Sequence, residues 1–170
     1  MTLDALNAAP AAMAAAALER CCGARAWVDA MLAARPFASP GALHAAAGRA
    51  WSALEPAGWR EAFAHHPRIG DVESLRARFA PTAAWAGREQ AAAVAADEAT
   101  LAALAAGNRA YEDRFGHIFI VRARGRSAAE MLAMLRERLA HDPETELRVA
   151  AGQQLEITHL RLDQLLEEDA

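Results

Sequence analysis

Apolar positions along most of this chain recur at three- and four-residue steps, the spacing that lines one face of an α-helix. Trp27 and Met31 share such a face within a helix expected over Ala24–Ala34, and another helix is expected from Pro10 to Cys22. Ser39-Pro40 reads as an N-cap followed by proline at the first helical position, opening a helix to about Leu54. Pro56 starts a shorter helix that runs to His65, and Ser74–Phe79 offers one or two turns before Pro81. From about Trp85 to Phe115 a long helix is expected, with Leu101, Leu104, Tyr111 and Phe115 inward and Gly116 as its stop. Ser127-Ala128-Ala129-Glu130 is a capping box for a helix with Met131, Leu132, Leu135 and Leu139 facing the core. Asp142-Pro143 opens the last helix, with a stripe of Leu147, Ala151, Leu155, Thr158, Leu162 and Leu165.

The texture breaks once. Ile118-Phe119-Ile120-Val121 has strong β preference but no partner run to pair with. It reads as an extended buried linker whose backbone N–H groups could serve a ligand. The pattern predicts an all-α fold, an irregular bundle of about seven to nine helices in a single domain spanning residues 1–170.

Composition changes the picture by exclusion. The chain has 170 residues, 54% hydrophobic and 24% charged, which describes a folded domain and not a disordered one. A net charge of −4 gives no reason to expect nucleic-acid binding. All 18 basic residues are arginine, so lysine-based Schiff bases and the phosphate-loop lysine are unavailable. An anion must be held by arginine, histidine or backbone N–H groups. The adjacent Cys21 and Cys22 are expected to be reduced thiols, because vicinal disulfides are strained. The alanine run Ala14–Ala17 is too short to span a membrane, and with neither a basic leader before Arg20 nor a peroxisomal ending, the sequence reads as cytoplasmic. The 6 histidines include no i, i+4 pair, and the cysteines lack zinc spacing, so no metal is expected.

Three segments carry candidate chemistry. In His65-His66-Pro67-Arg68-Ile69-Gly70, Pro67 disfavours helical geometry at His66 and leaves its imidazole at a helix end, beside an arginine. Such a group can exchange a proton with a bound anion near neutral pH, although a plain helix stop with solvated histidines has the same pattern. In Trp85-Ala86-Gly87-Arg88-Glu89-Gln90, the acid can complement a helix dipole, or the carboxylate and amide can face a polar ligand. Arg161 flanks the final apolar stripe, where arginines commonly snorkel to surface acids.

Taken together, these segments resemble one family. His65–Gly70 looks like its HPRIG turn, and Arg88-Glu89-Gln90 sits where that family has an SxxEQ helix start. Gly107–Glu112, Arg114–Gly116, Phe119–Val121, Arg126–Met131, Glu146–Arg148 and Leu160–Leu162 match as well, in order, within a resemblance running from about Trp27 to Leu166. The family is the 2-oxo-4-hydroxy-4-carboxy-5-ureidoimidazoline (OHCU) decarboxylases of the urate-to-allantoin pathway. The resemblance implies an all-α homodimer that needs no metal or organic cofactor, acts on a small molecule and releases CO2 to give S-allantoin. By position it implies His66 as acid/base and Glu89 as its carboxylate partner, with Pro67 and Gln90 lining the pocket. The backbone of Phe119, Ile120, Val121, Arg122 and Ala123 would contact the ring or ureido group, and Arg161 would clamp the anion. Ala86 stands where the family pattern has serine, which removes one hydroxyl from the substrate site. The competing readings are a non-catalytic helical binding module and an enzyme acting on a related ureido acid.

Overall fold

A computed structural model describes residues 1–66, Glu73, Leu75, 90–123 and 126–167, with backbone alone over 90–97. Eight helices are present among the described residues, and no strand. They are α1 (Leu3–Ala8), α2 (Ala11–Cys21), α3 (Arg25–Ala33), α4 (Pro40–Ser52), α5 (Pro56–Ala64), α6 (Gln90–Phe115), α7 (Ala128–Arg138) and α8 (Pro143–Glu167). The all-α expectation holds.

Punctuation fixes the ends. Ser39 Oγ accepts from Ala42 N at 3.1 Å with Pro40 just inside α4. Asp142 Oδ1 accepts from Glu144 N at 3.1 Å and Thr145 N at 3.0 Å at the start of α8. Ser127 and Glu130 form the expected reciprocal box on α7. Gly116 ends α6 at φ 71°, a left-handed geometry that suits a residue without Cβ. The pattern did not anticipate α1, which is only 6 residues long; it is capped by Thr2 and tied down by Arg35, whose Nη1 donates to Leu6 O at 2.8 Å and Ala9 O at 2.9 Å. Glu73 and Leu75 are helical, and the rest of the short helix expected over 74–79 lies outside the described residues, as does the part of the long helix before Gln90.

The described helices gather into two compact units that share α8. One holds α1 to α5, Ile120–Arg122 and α8 from Val149 onward; the other holds α6, α7 and α8 as far as Arg148. In the first unit Leu6, Leu18, Trp27, Met31, Leu43, Phe63 and Leu162 are fully buried, and Trp27 Nε1 is satisfied by Ala47 O at 3.1 Å. In the second, Leu104, Tyr111 and Leu135 form the interior. Gly107 lets α6 and α7 close together, since a Cβ there would meet Leu135 Cδ2 at 2.6 Å.

That second interior is not purely apolar. Glu146 and Arg138 are both buried and paired, with Arg138 Nε donating to Glu146 Oε1 at 2.7 Å. Tyr111 Oη donates to the same carboxylate oxygen, and His141 Nδ1 lies 2.8 Å from Oε2. Leu139, expected inward, is only half-buried, because the turn of α7 that carries it gives its interior place to Arg138. Leu155 is likewise half-buried on α8, where Gln154 takes the interior position beside it.

Candidate active site

The site begins with the short α5. Pro56 starts it, and it runs out at Ala64, with His65 as its C-cap at φ −79°, ψ −4°. His66 N–H closes one more turn onto Phe63 O at 3.1 Å, so the second histidine sits where the helix ends. Gly23, in the turn after α2, makes room for this corner: a Cβ on it would lie 2.1 Å from His65 Cγ.

α8 brings three side chains to the same corner. Gln154, Thr158 and Arg161 stand four and three residues apart, on one helical face. Gln154 Oε1 is 2.6 Å from His66 Nε2, and Arg161 Nη2 is 3.4 Å from His66 Nδ1. Behind the imidazole, Gln154 Nε2 donates to Thr158 Oγ1 at 3.3 Å, and Thr158 Oγ1 donates to Gln154 O at 3.0 Å. Arg161 is anchored in turn by the end of α2, its Nη1 reaching Cys21 O at 3.4 Å and Arg20 O at 3.5 Å. Carbonyls at a helix C-terminus carry partial negative charge and suit a cation.

This setting decides the charge state of His66. Burial pushes its pKa below the ordinary value of 6.5, and the Arg161 guanidinium and His65 push in the same direction, against the hydrogen bond to Gln154. At neutral pH the ring is uncharged and one of its nitrogens offers a lone pair. A recess of about 590 Å³ lies near this corner, lined in part by Ala17, Arg20, Cys21, His65, Arg161 and Gln164 but not by His66 itself. Arg161 therefore belongs both to the wall of that recess and to the contact with His66.

Of the residues singled out by sequence, His66 and Arg161 are brought together. Glu89, Ala86 and Pro67 lie outside the described residues, and Gln90 opens α6 with only its backbone described. Ile120, Val121 and Arg122 belong to the unit that holds His66, whereas Phe119 and Ala123 belong to the other. The 118–123 segment is non-helical, as expected, but of its residues only Ile120 is buried, so it is a half-exposed linker and not the buried one expected. The Arg122 N–H is not held in reserve for a ligand; it donates to Gln153 Oε1 at 3.0 Å. The Phe119 ring is stacked under the Arg138 guanidinium, 4.7 Å from centroid to Cζ.

Sequence reasoning missed Gln154, and it gave His65 no role of its own although that residue heads the candidate segment. The signal for Gln154 was present: a glutamine and a threonine at helical spacing within an apolar stripe, both pointing inward. Neither cysteine is in a disulfide and both are buried, and burial pushes the Cys22 thiol up to about 11. No group of three metal-ligating side chains and no helix able to cross a membrane occur among the described residues.

The described residues form an all-α fold that sets a neutral, half-buried histidine against an arginine, the side chains that proton exchange beside an anion would require. The family model for OHCU decarboxylase matches residues 7–163, and the chain belongs to that family. It is 37% identical over 153 residues to the uric acid degradation bifunctional protein TTL of Arabidopsis thaliana, covering 88% of this chain and 46% of that one. It thus spans about half the length of that relative. It is 31% identical over 134 residues to a 2-oxo-4-hydroxy-4-carboxy-5-ureidoimidazoline decarboxylase of Amia calva, covering 78% of this chain and 75% of that one. A crystal structure of an OHCU decarboxylase in the presence of (S)-allantoin has a TM-score of 0.70 at 32% identity, covering 88% of this chain and 96% of that one.

Proposed function

We propose that this chain decarboxylates OHCU to (S)-allantoin in urate degradation, with His66 as the group that moves the proton. The observation that carries the reading is the His66–Arg161 contact, 3.4 Å between a neutral imidazole and a fixed cation, in a chain matched by the family model over residues 7–163.

The substrate's own structure sets the task. In OHCU a carboxylate and a hydroxyl share C4, the ureido group is on C5, and the remaining ring double bond joins C5 to nitrogen. Breaking the bond to the carboxylate releases CO2 and sends its electron pair into that conjugated system, leaving an enol at C4 and negative charge on the ring nitrogen. The enol becomes the C4 carbonyl of allantoin when the hydroxyl loses its proton and C5 gains one; the ring nitrogen takes up a proton from solvent. A neutral His66 can accept the hydroxyl proton and return it to C5 from one side, which gives one enantiomer. Arg161 holds the substrate's negative charge, and an anion against Arg161 also cancels part of the field that keeps His66 from taking a proton.

Glu89 orients the imidazole or binds the ureido N–H groups, with Pro67 and Gln90 lining the pocket and the backbone of residues 119–123 contacting the ring. With Ala86 in place of serine, one hydrogen bond to the substrate is lost, worth about 0.5–1.5 kcal/mol, which weakens binding without abolishing turnover. We further infer a homodimer, on the strength of the family resemblance.

The test is allantoin stereochemistry by circular dichroism, with OHCU generated in place from urate. The protein should speed OHCU decay and yield optically active product, and His66→Ala should lower turnover by about 10²–10⁴-fold. Racemic allantoin formed at the spontaneous rate in the presence of folded wild-type protein would overturn the assignment.

A further inference from the structure

The hydrogen-bond chain behind His66 fixes which of its nitrogens is protonated. Thr158 Oγ1 spends its proton on Gln154 O at 3.0 Å, so toward the Gln154 side chain its oxygen can only accept. The group that meets it at 3.3 Å must then be the amide NH2 of Gln154. With the amide so oriented, Gln154 Oε1 faces His66 Nε2 at 2.6 Å, and an amide oxygen can only accept. Nε2 must therefore carry the hydrogen of the neutral ring. Nδ1 keeps the lone pair, and it is Nδ1 that lies 3.4 Å from Arg161 Nη2, an obligate donor. Flipping the amide would set its oxygen against the lone pairs of Thr158 Oγ1, and a ring that then accepted from the NH2 at Nε2 would carry its hydrogen on Nδ1, against the Arg161 donor.

We infer that Gln154 and Thr158 are positioning residues: from inside α8 they hold His66 in its Nε2–H tautomer, so that Nδ1, beside Arg161, is the atom that exchanges the substrate proton. The inference rests on the proposed decarboxylation for its functional meaning, while the tautomer is a property of the protein without substrate. Gln154 is 0% exposed, so it acts only through the ring. A fixed tautomer presents the same lone pair at every turnover and removes the need to rotate or re-protonate the ring between substrates.

The experiment is ring-nitrogen NMR of the histidine-labelled protein at a pH where His66 is neutral, with its signals identified by their loss in His66→Ala. The expected spectrum shows Nε2 protonated and Nδ1 bare. Gln154→Leu and Thr158→Val should each give a mixture of tautomers, the leucine variant the more strongly, and thermal unfolding establishes that each is folded. In the OHCU assay Gln154→Leu should lose about 10–100-fold in kcat with KM changed far less. Gln154→Glu, which can only accept when ionised, should keep the tautomer, recover part of kcat and move the acid limb of the pH profile upward. A wild-type His66 protonated on Nδ1, or a Gln154→Leu variant with unchanged tautomer and kcat, would overturn the inference while leaving the decarboxylase reading standing. Racemic product from wild type, or full activity in His66→Ala, would overturn that reading and with it the functional role given to the tautomer.

Discussion

A guanidinium 3.4 Å from a ring nitrogen is comfortable only while that nitrogen stays neutral. Burial and Arg161 together hold the His66 pKa below 6.5, so the free protein presents a base throughout the neutral range. Removing the cation should shift this balance. In Arg161→Gln the acid limb of kcat/KM should move to higher pH, as the imidazole titrates closer to its ordinary value, while KM rises because the anion loses its clamp. A pH–rate profile checks both, and an unshifted limb would show that Arg161 does not control the ring. Stability follows with a definite sign. A histidine whose pKa is lowered by folding takes up its proton more readily in the unfolded chain. The native state is therefore favoured above about pH 6.5 and loses that advantage as pH falls toward the folded pKa. His159 is shifted the same way, by burial and by His44 2.6 Å away, against the pull of Asp163. Urea midpoints measured at pH values above and below 6.5 should diverge less in His66→Gln than in wild type.

The helices that carry these side chains were largely legible because their ends are written in local chemistry. Ser39-Pro40, Asp142-Pro143, the Ser127–Glu130 box and Gly116 each satisfy or end a helix within a few residues, so a linear pattern suffices. Of the candidate site, the pattern marked a helix end at His66, and the family resemblance pointed to Arg161, which lies 3.4 Å from it. The site was not legible where position depends on contacts distant in sequence. Gln154 is polar in an inward stripe, and its reason lies 88 residues away in His66. The room at Gly23 is another such case, because the side chain it accommodates is His65, on α5. Its backbone does not require glycine; the close approach does, with a Cβ 2.1 Å from His65 Cγ and 2.6 Å from its Cβ. No rotation of the imidazole relieves a clash with its own Cβ, so Gly23→Ala should displace the end of α5 and His66 with it. We expect activity to fall by about tenfold or more, with the far-ultraviolet helical signal kept. An alanine variant with wild-type kcat would show that the corner tolerates the shift.

Both compact units depend on α8, which carries Arg161 near one end and Glu146 near the other. The two charges have different duties. Arg161 faces a recess and can exchange partners; Glu146 is sealed among Arg138, Tyr111 and His141. Burial works to raise the Glu146 pKa, but hydrogen bonds from Arg138, Tyr111 and His141 together with the Arg138 charge outweigh it, and the net direction is down. Tyr111 is pushed far above its ordinary range, chiefly by burial, and stays a donor. Neither Glu146 nor Arg138 would be placed inside by a hydrophobic pattern; each is inside because the other is. Removing one alone should therefore cost more than removing both. Glu146→Leu strands a buried guanidinium and should destabilise the protein by about 3–5 kcal/mol, whereas Glu146→Leu with Arg138→Met should recover most of that loss. Denaturant unfolding of the two single variants and the double one completes the cycle. Because the Glu146 carboxyl is held below its unfolded pKa, its contribution is present above about pH 4.5 and lost as pH falls through the folded value. Acid unfolding should accordingly be steeper in wild type than in the double variant. If the double variant is no more stable than Glu146→Leu alone, the pair is not acting as a unit, and the stability of this region comes instead from the apolar contacts of Leu104, Leu135 and the Tyr111 ring.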